Sequence, residues 1–165
     1  MGIQFETDYN METLTAMAKG LRKTVRKKRS RRVHIFAAVV LILGLLTILA
    51  TTAGGEPLGA SGVVTLLAML VVILVSLFED RLNAWFARKR LLPGTEHAAA
   101  TFEEDGYVSA TGVTESRFSY AQIVAVAETA RYFVFALSSH HTQAYDKRTI
   151  RGGSVEDFRA FIAEK

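Results

Sequence analysis

The spacing of hydrophobic and polar positions changes character several times along the chain. Ile3 and Phe5 alternate with polar neighbours, the period of a half-buried strand. Met11, Leu14, Ala18, Leu21 and Val25 then recur at three- and four-residue intervals, which predicts an amphipathic helix with Thr7 or Asp8 as its N-cap. No Pro or Gly-rich break separates Val25 from Ile35, and Gly20 is the one weak point, so this helix is expected to run on into the next segment. That segment is apolar all round. From Ile35 to Gly55 about 21 residues carry no charge, and a second uncharged run of about 21 extends from Leu58 to Phe78.

Each run matches the ~20 residues a helix needs to cross the hydrocarbon core of a bilayer. Eleven positions from Ile35 to Leu49 are Ile, Leu, Val or Phe. Each favours insertion by roughly 0.3–0.6 kcal/mol near the helix centre, and no charge costing about 3 kcal/mol opposes them. A buried hairpin in a soluble protein would need an amphipathic partner of matching size, and the chain has none. A cleaved signal peptide fits poorly, because the first run exceeds the usual ~7–15-residue apolar region and a second follows directly. Two membrane spans are therefore expected, at residues 33–55 and 58–78, joined by a short external loop at 56–57. Beyond them Leu82, Trp85 and Phe86 with Arg81 and Arg88 read as an interfacial continuation over residues 79–94, ended by Pro93-Gly94.

Residues 95–165 turn to short runs punctuated by turn signals. "HAAATF" and "YVSAT" flank "EEDG", in which Asp105-Gly106 predicts a hairpin. "ESRFSY" alternates, placing Ser116, Phe118 and Tyr120 on one face. "IVAVAE" and "YFVFALS" are the most apolar strands, and a hairpin through "SHH" leads to "TQAYD". "SVEDFRAFIAEK" is an amphipathic helix with Ser154 and Asp157 as a cap and Val155, Phe158, Phe161 and Ile162 as its stripe. Six antiparallel strands closed by one helix resemble a pleckstrin-homology-like module. About seventy residues are marginal for an independent core, so residues 3–7 are expected to add a strand to this sheet.

Charge sets the orientation. Nine Lys or Arg precede the first run and Arg81, Arg88, Lys89 and Arg90 follow the second, whereas the connecting "TTAGGEPLGASG" has none. By the positive-inside rule both termini are cytoplasmic. The belt holds 13 of the 20 basic side chains, so the net +4 describes this region and not the mildly acidic ends. Near an anionic leaflet each such residue contributes about 1 kcal/mol, which makes Arg26, Lys27, Lys28, Arg29, Arg31, Arg32, Arg88, Lys89 and Arg90 candidate lipid contacts. Lys147, Arg148 and Arg151 form a second candidate set, a basic edge on the C-terminal domain. Nucleic acid is a weak rival, since no stacking aromatics interleave with the basic block.

Chemistry is sparse. There is no cysteine, nucleophile elbow, P-loop, dinucleotide fingerprint or zinc-protease motif. His34 lies at the membrane boundary and His97 at a strand start. His140 and His141 are adjacent, point to opposite faces of an extended chain, and make poor joint metal ligands. No cofactor, metal or catalytic residue is expected. Neither span contains an ionisable residue, which argues against an ion pathway. Two spans cannot enclose a pore, so any channel requires a homo-oligomer.

The order of segments resembles the YcxB-like bacterial membrane proteins. Phe5, Asp8 and Tyr9 match at the start, followed by two adjacent spans. In the domain the match is carried by Gly106, Ser119 to Phe133, Lys147-Arg148 and "EDFRAFI". Tyr145-Asp146 stands where that family often has an apolar residue and Pro. The resemblance implies a bacterial cytoplasmic (inner) membrane and brings no established activity with it. The sequence thus predicts an α+β membrane protein. Residues 1–32 form a strand and basic helix, a two-helix hairpin follows, and residues 95–165 form a PH-like β domain capped by a C-terminal helix. Two roles fit: a non-catalytic interaction or regulatory module presenting that domain to a protein partner, or a lipid-responsive module binding anionic headgroups.

Overall fold

The structure is a computed structural model and describes residues 2–55 and 57–165. Glu56, expected in the connecting loop, lies outside the described residues. Strand β1 (Ile3–Asp8) leads into α1 (Met11–Lys23), α2 (Lys27–Ala53), α3 (Ala60–Leu77) and α4 (Glu79–Lys89). Strands β2 (His97–Phe102), β3 (Tyr107–Thr111), β4 (Glu115–Phe118), β5 (Ala125–Glu128), β6 (Tyr132–Ala136) and β7 (Thr142–Asp146) follow, and α5 (Val155–Ala163) ends the fold.

The six strands expected after residue 95 are present, and β1 joins them. It pairs antiparallel with β2 along its whole length, from Ile3 opposite Phe102 to Asp8 opposite His97. The four helices α1–α4 are therefore an insertion between two neighbouring strands. One sheet runs β1-β2-β3-β4 and the other β5-β6-β7. They meet at a corner where Thr149 Oγ1 donates to the Glu6 carbonyl (2.6 Å) and Thr7 Oγ1 accepts from the Asp146 N–H (3.1 Å).

Between the sheets lies an aromatic core of Phe5, Phe102, Tyr107, Phe133, Phe135, Tyr145 and Phe158. Phe5 sits near its centre, with ring centroids 4.7 Å from Phe158 and 5.6 Å from Tyr145. Helix α5 closes one end of the sandwich. Ser154 and Asp157 exchange the reciprocal bonds of a capping box, so the helix starts where its apolar stripe meets the core. Arg159 ties it to β5 through both oxygens of Glu128.

Strand β6 reads as an unbroken apolar run because both its faces are covered. Phe133 and Phe135 enter the core, while Tyr132 and Val134 pack outward against Ala16 and Met17 of α1. Gly20 makes that contact close: a Cβ there would lie 2.7 Å from Val134 Cγ1. Gly20 is thus a packing requirement rather than a weak point in the helix.

Two expectations about the N-terminal helix need correction. Its cap is Asn10, whose Oδ1 accepts from the N–H groups of Glu12 and Thr13 at 2.9 and 3.0 Å. Thr7 and Asp8 are still in β1, engaged by the sheet. Nor does the helix run on into the first apolar segment. It ends at Lys23, Thr24 leaves helical geometry (φ −110°, ψ −96°), and Thr24 Oγ1 and Arg26 N–H donate back to the Gly20 and Leu21 carbonyls. Docking on β6 aims α1 along the domain, so the chain must turn before α2. The basic block from Lys27 to Arg32 consequently forms the first turns of α2. A smaller correction concerns β4, which stops at Phe118; Tyr120 lies in a single 3₁₀ turn capped by Ser119 yet still packs on Tyr107.

Helices α2 and α3 pack on each other as a hairpin, with Gly44 against Met69. Both are long and apolar enough to cross a membrane, with mean hydropathy 2.7 and 2.6. Their apolar side chains find little cover within the protein: Phe36 is 70% exposed and Leu77 72%.

Truncating the plug of the core tests the closure by α5. Phe158→Ala should cost about 3–5 kcal/mol, a large share of a small domain's stability. Amide exchange of the full chain would then accelerate in β2 and β6, whereas unchanged protection there would mean that α5 does not hold the sheets together. The Arg159 tie predicts an acid response. Hydrogen bonds from Arg159, then Lys147, lower the Glu128 carboxyl from 4.5 to about 2. A depressed carboxyl stabilises the fold above its unfolded value of about 4.3, and that contribution fades as pH falls toward about 2. The melting-temperature gap between the wild type and Glu128→Gln should be open at pH 6 and narrow between about pH 4.5 and 2. A gap independent of pH would mean the pairing adds nothing.

Candidate functional site

The candidate lipid contacts gather around the junction between the helical hairpin and the β domain. Lys27, Lys28, Arg29, Arg31 and Arg32 are exposed on the first turns of α2. Arg88 and Lys89 end α4 and Arg90 follows, with Lys89 Nζ 3.7 Å over the Trp85 ring. Arg26 occupies the bend between α1 and α2, where its Nε donates to the Ser139 carbonyl (2.7 Å) and its Nη2 lies 3.1 Å from His140 Nδ1. Among the described residues, one cation of the thirteen in this belt meets a carboxylate. It is Arg22, whose Nε and Nη2 donate to the two oxygens of Asp80, each at 2.8 Å.

That pair joins the end of α1 to the start of α4. Hydrogen bonding to Asp80 raises the Arg22 guanidinium above its ordinary value, so Arg22 stays charged. Beside it Ser30 Oγ donates to Glu79 (3.4 Å), and His34 Nε2 lies 3.8 Å from the same carboxylate. One side-chain pair thus fastens α4 to α1, and two further contacts, from Ser30 and His34, join the start of α2 to the start of α4.

The second candidate set is arranged differently. Lys147 Nζ donates to Glu128 at 2.5 Å and lies 4.8 Å over the Phe133 ring. Arg148 pairs with Asp146 at 2.9 Å and Arg151 with Glu6 at 3.3 Å. These three are not a free cationic edge, because a carboxylate of the same domain faces each one. Lys147 and Arg148 serve the corner where β7 turns toward β1. His97 is likewise engaged, with Nδ1 2.8 Å from Asp8 Oδ1.

An apolar cavity of about 270 Å³ opens at the end of the sandwich opposite α5. The strand register creates it. Phe102, Tyr107 and Phe118 stand side by side at one level of the sheet, and two residues along that level becomes Ala100, Ser109 and Ser116. Aromatic bulk thus fills the α5 end, and small side chains leave space at the other. Leu14 and Met17 of α1 and Leu91 after α4 cover this opening. A groove of about 600 Å³ continues from it past Leu14, Met17, His141 and Thr142, with Phe86 on its wall and Arg26 and Arg90 on its rim.

Gln143 lines the cavity and is only 7% exposed. Its Oε1 accepts from the hydroxyls of Tyr107 (2.8 Å) and Tyr145 (2.7 Å). Burial pushes Tyr107 up to about 12 and Tyr145 well above its ordinary value, so both remain protonated donors. Burial likewise raises Tyr9, another lining residue, to about 12. Sequence reasoning found the strands but missed this cavity. Its signal was the run of small residues at alternate positions in "HAAATF" and "YVSAT".

Residues 102–162 match the family model described as YcxB-like protein, and the two candidate membrane helices lie N-terminal to the match. No curated protein and no solved structure matches this chain.

The Arg22–Asp80 pair makes a direct prediction. Asp80→Asn leaves a half-buried guanidinium without its counter-ion and should weaken the α1–α4 contact by on the order of 1–3 kcal/mol. Faster amide exchange in α1 and α4, reversed by combining Arg22→Asp with Asp80→Arg, would report it. Identical exchange in Asp80→Asn and wild type would show that apolar packing alone holds the helices.

Proposed function

We propose that this chain, a member of the YcxB-like family, is a membrane-anchored, non-catalytic regulatory module that holds a pleckstrin-homology-like domain at the cytoplasmic face and responds to anionic lipid. The observation that carries the reading is the contrast in charge pairing. Every Arg of residues 95–165, and Lys147, has a carboxylate partner within 4.0 Å, whereas the belt's cations other than Arg22 have none among the described residues. Unpaired cations beside two apolar helices suit a negatively charged leaflet.

The apolar surface of α2 and α3 supports the anchoring. Contiguous exposed side chains from Val33 to Leu77 would be costly in water and are at home in hydrocarbon. The absence of Lys and Arg between the two helices supports cytoplasmic termini, as in a bacterial inner membrane. Four strands facing three, with a helix across one end, support the PH-like assignment. Fold alone does not select between lipid and protein as the bound partner. A protein-presenting role is the second reading, favoured by Val124 and Val126, which are exposed at β5, an outer strand of its sheet. It too is non-catalytic.

Retention of lipids tests the first reading. The full chain released from nanodiscs of mixed phosphatidylglycerol and phosphatidylcholine should keep the anionic lipid preferentially by native mass spectrometry. Neutralising Arg29, Arg31 and Arg32 to Gln removes about 1 kcal/mol per site, so the preference should fall by on the order of a hundredfold. Ten belt cations remain to preserve orientation. An undiminished preference would reduce the belt to a topology signal.

A further inference from the structure

We infer that the cavity between the sheets, with its groove, is a binding site for one anionic single-chain amphiphile, of the lysophospholipid or fatty-acid type. The inference rests on the lipid-responsive reading and gives it a discrete site apart from the belt on α2. Three features of different chemistry converge there.

The first is an apolar interior with a defined limit. Leu14, Met17, Leu91 and Phe118, together with hydroxyl-bearing residues such as Ser109, Thr111, Ser116 and Thr142, wall a space of about 270 Å³ whose exposed lining is mostly carbon. At about 30 Å³ per water-sized group it holds on the order of nine such groups, enough for part of an acyl chain. Phe118, opposite Tyr107 in the register, is on its wall, and Ser109 and Ser116 stand two residues further along the same strands.

The second is the rim. The groove leads out between Arg26 and Arg90, neither of which has a carboxylate partner among the described residues. Arg26 is held in place by the Ser139 carbonyl through Nε, which leaves other guanidinium N–H groups for a ligand. A phosphate or carboxylate there would gain charge-assisted hydrogen bonds while its tail lies over Leu14 and Met17. Charge complementarity therefore fixes the direction of entry, tail inward and head at the rim. A neutral-headed amphiphile would leave the two arginines unsatisfied.

The third is a polar atom within the pocket. Gln143 is nine-tenths buried, and both tyrosine bonds fall on its oxygen. Among the described residues its amide nitrogen has no protein partner, and that atom is not fully buried, since every fully buried side-chain polar atom has one. It offers two N–H donors to an acceptor oxygen on the entering ligand, such as the ester carbonyl between head and tail.

The experiment uses the full chain in phosphatidylcholine nanodiscs, with lysophosphatidylglycerol as probe and native mass spectrometry as readout. One probe molecule should bind per chain and saturate. A monoacylglycerol, with the same tail and no phosphate, should bind at least tenfold more weakly, and glycerol 3-phosphate, which lacks a tail, should not be retained. Ser109→Leu and Ser116→Leu fill the cavity and should weaken the probe tenfold or more. Arg26→Gln combined with Arg90→Gln should bring it to the level of the monoacylglycerol. Ser116 is half-buried on the outer strand β4, so its variant decides the matter if Ser109→Leu does not fold by amide exchange in β2 and β3. Equal binding of lysophosphatidylglycerol and the monoacylglycerol, binding that never saturates, or an unchanged affinity in Ser116→Leu would each overturn the site. The arms also separate from the belt: Arg29→Gln, Arg31→Gln and Arg32→Gln should lose the bilayer preference but keep the single bound probe, and the cavity variants should do the reverse.

Discussion

Everything in this structure depends on the pairing of β1 with β2. The two strands are neighbours in the sheet yet are separated in sequence by the four helices. Closing so long a segment carries an entropic cost that grows only slowly with its length, so a well-packed pair of strands can hold it shut. Phe5 supplies the packing, since its ring touches residues of β2, β6, β7 and α5 together. Without β1 the β2 edge would be unpaired and the core would lack its central ring. With it, the helical hairpin leaves the domain from one closed point, Asp8 opposite His97.

Helix α1 then converts that closure into a stiff connection. It lies on the outer face of β6, with Gly20 against Val134, and along α4, where Ala84 is fully buried. Thr13 Oγ1, 3.2 Å from the Tyr132 hydroxyl, and Arg131, bonded to Glu12, secure its start. Asp80 secures its end. A helix pinned at both ends to different parts of the chain transmits displacement in a way that a flexible linker would not. Helix α1 thus contacts both the β domain and the start of α4.

Most of the fold was legible in the sequence because its signals are local. Two apolar runs, a capping box at Ser154 and a hairpin at Asp105-Gly106 each carry their own physics in a few residues. The pairing of residues 3–7 was also legible, since alternation and a missing strand point the same way. The break at Thr24 was not. Nothing between Val25 and Ile35 forbids a helix, and the turn follows from where β6 holds α1, which is tertiary information. The carboxylate partners of the basic edge were hidden for the same reason. Lys147, Arg148 and Arg151 look free along the chain, yet their partners Glu128, Asp146 and Glu6 include residues from a different strand or the other sheet. The cavity was illegible because small residues matter only once register aligns them: Ala100, Ser109 and Ser116 are separate in sequence and adjacent in the sheet.

The distribution of satisfied and unsatisfied groups follows one logic across the molecule. Within the β domain, arginines are paired, Tyr107 and Tyr145 have an acceptor, and no fully buried side-chain polar atom among the described residues lacks a partner. Such completeness is what a small core requires, since each unmet group would cost about 1–3 kcal/mol. Toward the helical hairpin that economy relaxes. Apart from Arg22, the belt cations meet no carboxylate among the described residues, α2 and α3 leave their apolar surface bare, and the sandwich is left open with small side chains at its mouth. These departures share one end of the molecule, and two of the groups at the opening, Leu14 and Met17, belong to the helix that Asp80 pins. A molecule entering between the sheets would press on α1 directly, and the far end of α1 bears on the junction of the two apolar helices. The unsatisfied surface and the stiff connection therefore lie in series, from the cavity through α1 to the hairpin.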